Sequence, residues 1–121
     1  MKQAVAGTVP AAPYSPGIVS SGRLVHVSGQ GPLVDGTVVG GTIEEQTRLT
    51  LENVERVLEA AGATRADVVR CGVYLADLDD FAAMNEVYAA FFPAPLPART
   101  TIGCALLGIK VEIDCVAVVG E

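Results

Sequence analysis

The stretch TIEEQTRLTLENVERVLEAAGATRADVVRCGVYL, from Thr42 to Leu75, decides the fold class. It opens on Thr42-Ile43-Glu44-Glu45, the pattern of a capping box. The threonine oxygen satisfies an exposed amide of the first turn, and the glutamate reaches back. Leu51, Val54, Leu58 and Ala61 then recur on one helical face. Gly62 supplies a left-handed stop. Beyond it the period changes from helical to alternating. Asp67 to Leu75 reads as a strand, with Val69, Cys71, Val73 and Leu75 on one face.

Downstream, carboxylates at Asp79-Asp80 favour a helix N-terminus. The stripe Phe81, Met84, Tyr88 and Phe91 follows, and Pro93, Pro95 and Pro97 end the helix. Ala98 to Cys104 and Lys110 to Val119 read as two further strands. Upstream, Gly17 to Ser20 and Arg23 to Gln30 are strands around a Ser21-Gly22 turn, which predicts a hairpin. Gly31 to Gly41 is a loop with Asp35-Gly36 as its turn. Met1 to Pro16, rich in Ala, Gly and Pro, reads as an extended arm, of which residues 1–12 precede the Pro13-Tyr14-Ser15-Pro16 segment.

The order β-β-α-β-α-β-β predicts one α+β domain over residues 1–121, a mixed sheet with two helices on one face. A βαβαβ run with a glycine-rich phosphate loop is missing, which disfavours a nucleotide fold. Several strands carry apolar residues on both faces, as at Val68 and Tyr74 or Val116 and Val118. Two helices cover only one side. The remaining face therefore predicts burial against another copy of the chain.

A chain of 121 residues that is half hydrophobic is long enough to bury a core. Its 14 acidic against 8 basic residues give a formal charge of -6, without any Arg/Lys cluster. Nucleic acid and anionic membranes are poor partners for such a surface. No tract is long enough to span a bilayer and the N-terminus lacks signal-peptide order, so a cytoplasmic address is expected. Cys71, Cys104 and Cys115 are odd in number and form no CxxC pair. That argues for packed thiols rather than disulfides or structural zinc. His26, the single histidine, reads as a strand residue, and no metal site is expected.

Chemistry is concentrated near the C-terminus. Arg99, in Pro97-Ala98-Arg99-Thr100-Thr101, and Glu112, in Lys110-Val111-Glu112-Ile113-Asp114, lie in adjoining apolar strands. Charge inside a sheet is costly unless paired or used. The planar fork of Arg99 suits a carboxylate ligand, or else an internal ion pair with Glu112 or Asp114. Glu112 has the chemistry to orient or deprotonate water, or else lies on a solvated strand edge. Ser28-Gly29-Gln30 ends a strand in a turn that admits a ligand to backbone amides, or that simply ends the strand. Tyr14, between prolines, either covers a pocket or anchors the arm. With neither GxSxG, nor a Cys/His pair, nor a Walker sequence, covalent catalysis is disfavoured.

Taken in order, these pieces resemble the RidA/YjgF family. The resemblance rests on Tyr14 in Pro-Tyr-Ser, Val27-Ser28-Gly29-Gln30, Glu44-Glu45-Gln46-Thr47-Arg48, Leu51-Glu52-Asn53-Val54, Asp80-Phe81 with Asn85-Glu86-Val87-Tyr88, Pro97 to Thr101, and Val111-Glu112-Ile113. It covers about Pro13 to Val118. It implies a chorismate-mutase-like α+β fold, assembled as a homotrimer with pockets between subunits. It also implies cofactor-free hydrolysis of enamines and imines of the 2-aminoacrylate/2-iminopropanoate type to 2-keto acids and ammonia. Alternatives within the family are a non-enzymatic binder of small carboxylates, a chaperone-like homologue, or a pathway-specific deaminase or tailoring enzyme.

By the same resemblance, Arg99 holds the substrate carboxylate and Glu112 positions the attacking water. Tyr14 lines the pocket, and Ser28 and Gly29 form the turn beside the ligand. Thr101 falls where many members have a cysteine whose backbone contacts that carboxylate. Pro16, Gly103 and the short turn Leu106-Leu107-Gly108-Ile109 depart from the family pattern.

Overall fold

Thr42 starts the long helix as its side chain dictates. Its Oγ1 accepts from the Glu45 amide at 3.1 Å, and its own amide donates to Glu45 Oε1 at 3.0 Å. This is seen in a computed structural model that describes residues 1–120. The strands are β1 (Lys2–Val5), β2 (Gly17–Ser20), β3 (Arg23–Gln30), β4 (Leu33–Val34), β5 (Thr37–Val38), β6 (Val68–Leu75), β7 (Ala98–Gly103) and β8 (Val111–Val119). The helices are α1 (Ile43–Ala60) and α2 (Phe81–Phe91). Ala61 caps α1, and Gly62 follows at φ 77°.

The main sheet has the order β3-β8-β6-β7. Its pairs are antiparallel except β6 with β7, which α2 joins as a parallel crossover. The architecture is the α+β mixed sheet expected, with both helices on one face. Leu51, Val54 and Leu58 of α1 and Met84 and Tyr88 of α2 are buried in one core with Cys71, Val73, Leu75, Val111, Ile113 and Cys115 of the sheet. Truncating such a fully buried leucine to alanine costs about 2–5 kcal/mol. Buried Gln46 ties α1 to the start of β8, its Oε1 accepting from the Lys110 amide at 2.9 Å.

The other face of the main sheet carries Leu24, His26, Tyr74, Ile102, Asp114 and Val116, and neither helix packs over it. Leu24 and Ile102 are exposed there. His26 is a strand residue opposite Val116, as expected.

Four sequence expectations need correction. Gly17–Ser20 does not form a hairpin with Arg23–Gln30. It pairs with Lys2–Val5, while β3 pairs with β8. The arm is therefore tied down at its start, its four strand residues being too short and too distant from β2 for local pattern to reveal. The Gly31–Gly41 loop contains the small β4-β5 hairpin. Asp35 and Gly36 both have positive φ, 49° and 79°, the backbone of a tight mirror-image turn. Lastly, Val69 does not share the core with Cys71. A bulge between Val68 and Arg70 shifts the register, and Val68 joins the core instead. Ala61, likewise, is exposed at the end of α1.

Candidate functional site

Arg99 lies on the helix-covered side of the sheet. Residues paired directly across strands point to the same side. Cys71 pairs with both Arg99 and buried Cys115, so the arginine shares their face. Its guanidinium sits 4.8 Å from the Tyr88 ring, 5.6 Å from Phe81 and 5.7 Å from Tyr14, a partial aromatic cage within cation-π range. Tyr14 is held there because Ser15 bridges to Ala98. The Ser15 amide donates to the Pro97 carbonyl at 3.0 Å, and its hydroxyl donates to the Leu96 carbonyl.

Arg99 is half-buried and has no carboxylate partner among the described residues; the one ion pair there joins Arg65 to Glu55. The internal ion pair with Glu112 or Asp114 is thus excluded. Arg99 Nε donates to Thr101 Oγ1 at 2.8 Å, and Nη1 is buried with no hydrogen-bond partner. Burial lowers the arginine pKa, yet a guanidinium keeps its proton in proteins. Neighbouring groups offer no counter-charge. Burial pushes the Cys71 thiol up to about 12 and raises the Tyr88 phenol well above its usual range. Both stay neutral near pH 7. A cation therefore faces this edge without a matched anion.

Glu112 belongs to a second cluster on the opposite face. It pairs with Tyr74, away from the core residues Val111 and Ile113. Beside it, β3 bulges at Ser28-Gly29, between the pairs Val27 with Cys115 and Gln30 with Ile113. A Cβ on Gly29 would lie 2.2 Å from Glu112 Oε2. Glycine at this position is what lets the carboxylate lie over the strand. Exposed Ser28 is the neighbouring position on the bulge, its carbonyl accepting from Gln30 Nε2 at 3.2 Å. The Glu112 carboxylate has no hydrogen bond among the described residues.

Asp114, two residues on, differs. It accepts from the Gly72 amide at 3.0 Å and from the Tyr74 hydroxyl at 2.8 Å. Asp114 is an internal brace, whereas Glu112 has no such partner among the described residues. The loop after Gly29 is pinned from α1, where Asn53 Nδ2 donates to the Gly31 and Leu33 carbonyls, both at 2.9 Å.

The six residues singled out by sequence thus fall into two groups. Tyr14, Arg99 and Thr101 stand together on one face; Ser28, Gly29 and Glu112 stand together on the other. The chain does not bring Arg99 and Glu112 together. Phe81 and Tyr88, visible in sequence only as a helix stripe, complete the cage around Arg99. Asn53 was legible only as part of a motif.

Two clefts among the described residues differ in size and lining. The larger, about 440 Å³ between α1 and α2, is lined by Arg48, Glu52, Glu86 and Phe91 and contains none of the six. The smaller, about 330 Å³, opens beside Gly29 and is bordered by Asn53 and Arg56. The second contains Gly29 of the six, and neither is lined by Arg99 or Glu112.

Comparison with known proteins identifies the family. The model for the family described as Endoribonuclease L-PSP matches residues 4–119. The mitochondrial protein mmf2 of Schizosaccharomyces pombe is 49% identical over 104 residues, 82% of each chain. The chloroplastic Reactive Intermediate Deaminase A of Arabidopsis thaliana is 43% identical over 109 residues, 87% of this chain and 58% of that one. Among solved structures, the Yersinia pestis protein YyfB, described as a protein of unknown function of the conserved Rid family, superposes with a TM-score of 0.88 at 30% identity over 98% of each chain. Names among these relatives thus include organelle proteins and a reactive-intermediate deaminase. No helix among the described residues is long and apolar enough to cross a membrane. With a family model covering nearly its whole length and relatives of this identity, the chain belongs to the RidA/YjgF family, described as the L-PSP endoribonuclease family.

Proposed function

We propose that this protein hydrolyses reactive enamine/imine intermediates of the 2-aminoacrylate/2-iminopropanoate type to 2-keto acids and ammonia, without a cofactor. The observation that carries this reading is Arg99: a half-buried cation, caged by aromatic rings, with no internal anion. A small carboxylate supplies the missing charge. The name of the Arabidopsis relative adds support.

Hydrolysis then needs water and a base. Glu112 accepts a proton from water as the oxygen bonds to the imine carbon and the C=N bond becomes single. That proton passes to nitrogen and gives a carbinolamine; Glu112 then takes the hydroxyl proton and returns it to nitrogen as the carbonyl forms, the C–N bond breaks and ammonia leaves. Imines are already electrophilic, so positioning and a base contributing about a hundredfold suffice.

Because Arg99 and Glu112 occupy opposite faces of one sheet, the complete site is composed of two protomers. One contributes Tyr14, Arg99 and Thr101, and its neighbour contributes Ser28, Gly29 and Glu112. The uncovered sheet face supplies the surface for assembly as a homotrimer. An RNA substrate fits poorly, given the formal charge of -6. The cytoplasmic address belongs to the same proposal, since some relatives are mitochondrial or chloroplastic by name.

A panel of freshly generated amino-acid imines, with ammonia and keto-acid release as readouts, tests the reaction. Ligand binding without release makes the protein a carboxylate binder and ends the enzymatic reading. Mixing inactive Arg99→Ala and Glu112→Ala chains, with unfolding and reassembly, tests the shared site. In a cyclic trimer each mixed assembly regains one intact site of three, and about a quarter of wild-type activity returns. No recovery from verified mixed trimers refutes the two-protomer site.

A further inference from the structure

Arg99 does not present the plain two-nitrogen fork that a carboxylate usually meets. Its Nε–H is already donated to Thr101 Oγ1 at 2.8 Å. Its Nη1 is enclosed and unbonded. Nη2 is left, with some solvent access and no hydrogen-bond partner. In a guanidinium, Nη2 and Nε–H open toward the same side, so Nη2 and the Thr101 oxygen face a common space.

The threonine completes the argument. A hydroxyl that accepts from Nε keeps its own proton to donate. No acceptor for that proton lies among the described residues, and Thr101 is only half-buried. Arg99 and Thr101 are two apart on β7 and share the helix-covered face, with Thr101 opposite Val73. Alternation along the strand therefore fixes their spacing. The Tyr88 and Phe81 rings lie 4.8 and 5.6 Å from the guanidinium carbon.

The geometry points to a composite anion fork, in which Arg99 Nη2–H and the Thr101 hydroxyl each donate to one oxygen of a ligand carboxylate while Nε–H holds the threonine oxygen. This rests on the reading of Arg99 as a carboxylate receptor and deepens it. Thr101 is a binding residue through its side chain, beyond any backbone contact the family resemblance implies. The ligand class is a planar carboxylate with two free oxygens, as in a 2-imino or 2-keto acid. Amides and esters of the same acids lack one acceptor and fall outside it.

The test is calorimetric titration of the assembled protein with 2-ketobutanoate and with 2-ketobutanamide, alongside imine turnover. Thr101→Val removes both the acceptor and the donor. Its expected effect is a tenfold or greater rise in Kd and KM for the carboxylate, roughly the loss of one charge-assisted hydrogen bond, with kcat within about threefold of wild type. Binding of the amide should not change. Thr101→Ser keeps the hydroxyl and should restore carboxylate binding. If Thr101→Val binds 2-ketobutanoate like the wild type, the composite fork is wrong.

Should the valine variant fail to assemble, Thr101→Cys takes its place, and equal binding by the serine and cysteine variants overturns the proposal. The enzymatic reading is separable. Failure of wild-type turnover with intact, hydroxyl-dependent binding removes the hydrolase and leaves the fork. Arg99-dependent turnover that ignores Thr101 removes the fork and leaves the hydrolase.

Discussion

The two faces of the main sheet treat charge in opposite ways. On the covered face Arg99 sits among apolar and aromatic groups with one bond to Thr101 and no counter-ion among the described residues. On the open face two acids stand in alternate positions of β8. Asp114 is engaged with Gly72 and Tyr74, whereas Glu112 has no hydrogen bond among the described residues. The difference separates structural charge from available charge. A group that folding needs finds its partners within the chain; Arg99 and Glu112 do not, and each is accommodated by a local device. For Arg99 it is the aromatic cage and for Glu112 the absent side chain of Gly29.

Substitutions that strike the two faces separately put this contrast to the test. Arg99→Ala removes the cation and should lower kcat/KM for imino acids by about a thousandfold, while light scattering shows unchanged assembly; normal turnover of 2-iminopropanoate would refute the receptor role. Glu112→Gln keeps the shape and removes the base. It should lower kcat by about a hundredfold with little change in 2-ketobutanoate affinity, and unaltered kcat removes its assigned role. Gly29→Ala forces the Glu112 carboxylate aside without touching it chemically. About a tenfold loss of kcat is expected with the melting temperature nearly unchanged, because only the end of a flexible side chain has to move.

The smallest effect concerns the engaged acid. The hydrogen bond to Asp114 raises the Tyr74 pKa above its usual 10.0, and partial burial adds to this. The folded protein thus holds this phenolic proton more tightly than the unfolded chain. The resulting stability is complete below pH 10 and is lost as pH rises through the folded-state value. Thermal unfolding followed above pH 10 should show a shallower decline for Tyr74→Phe than for the wild type. Its imine turnover at neutral pH should match the wild type, since neither Tyr74 nor Asp114 belongs to the proposed site.

Local pattern carried most of the fold. The capping box at Thr42, the Gly62 stop and the Met84-Tyr88 stripe are short-range signals, and the helices lie where those signals place them. What escaped was non-local. The pairing of β1 with β2 joins segments that have no turn between them in sequence. The bulge at Val69 depends on β8, not on β6 alone. The site divides in the same way. Residue type and alternation identified Arg99 and Glu112 as unusual charges. Only the parallel register of β6 with β7 places them on opposite faces, and register between distant strands is not written in either strand. Gly103 is a similar case. Its departure from the family pattern makes room for Leu78 from outside the strand, a Cβ at Gly103 lying 2.9 Å from Leu78 Cγ.

The strand bearing the guanidinium is also the border of the sheet. Ser15 covers that border only at Ala98, so the outer backbone groups of β7 beyond it are left without a neighbouring strand within the chain. A lone chain exposes this bare rim together with an oily sheet surface, and its expected fate in isolation is clumping rather than life as a quiet monomer.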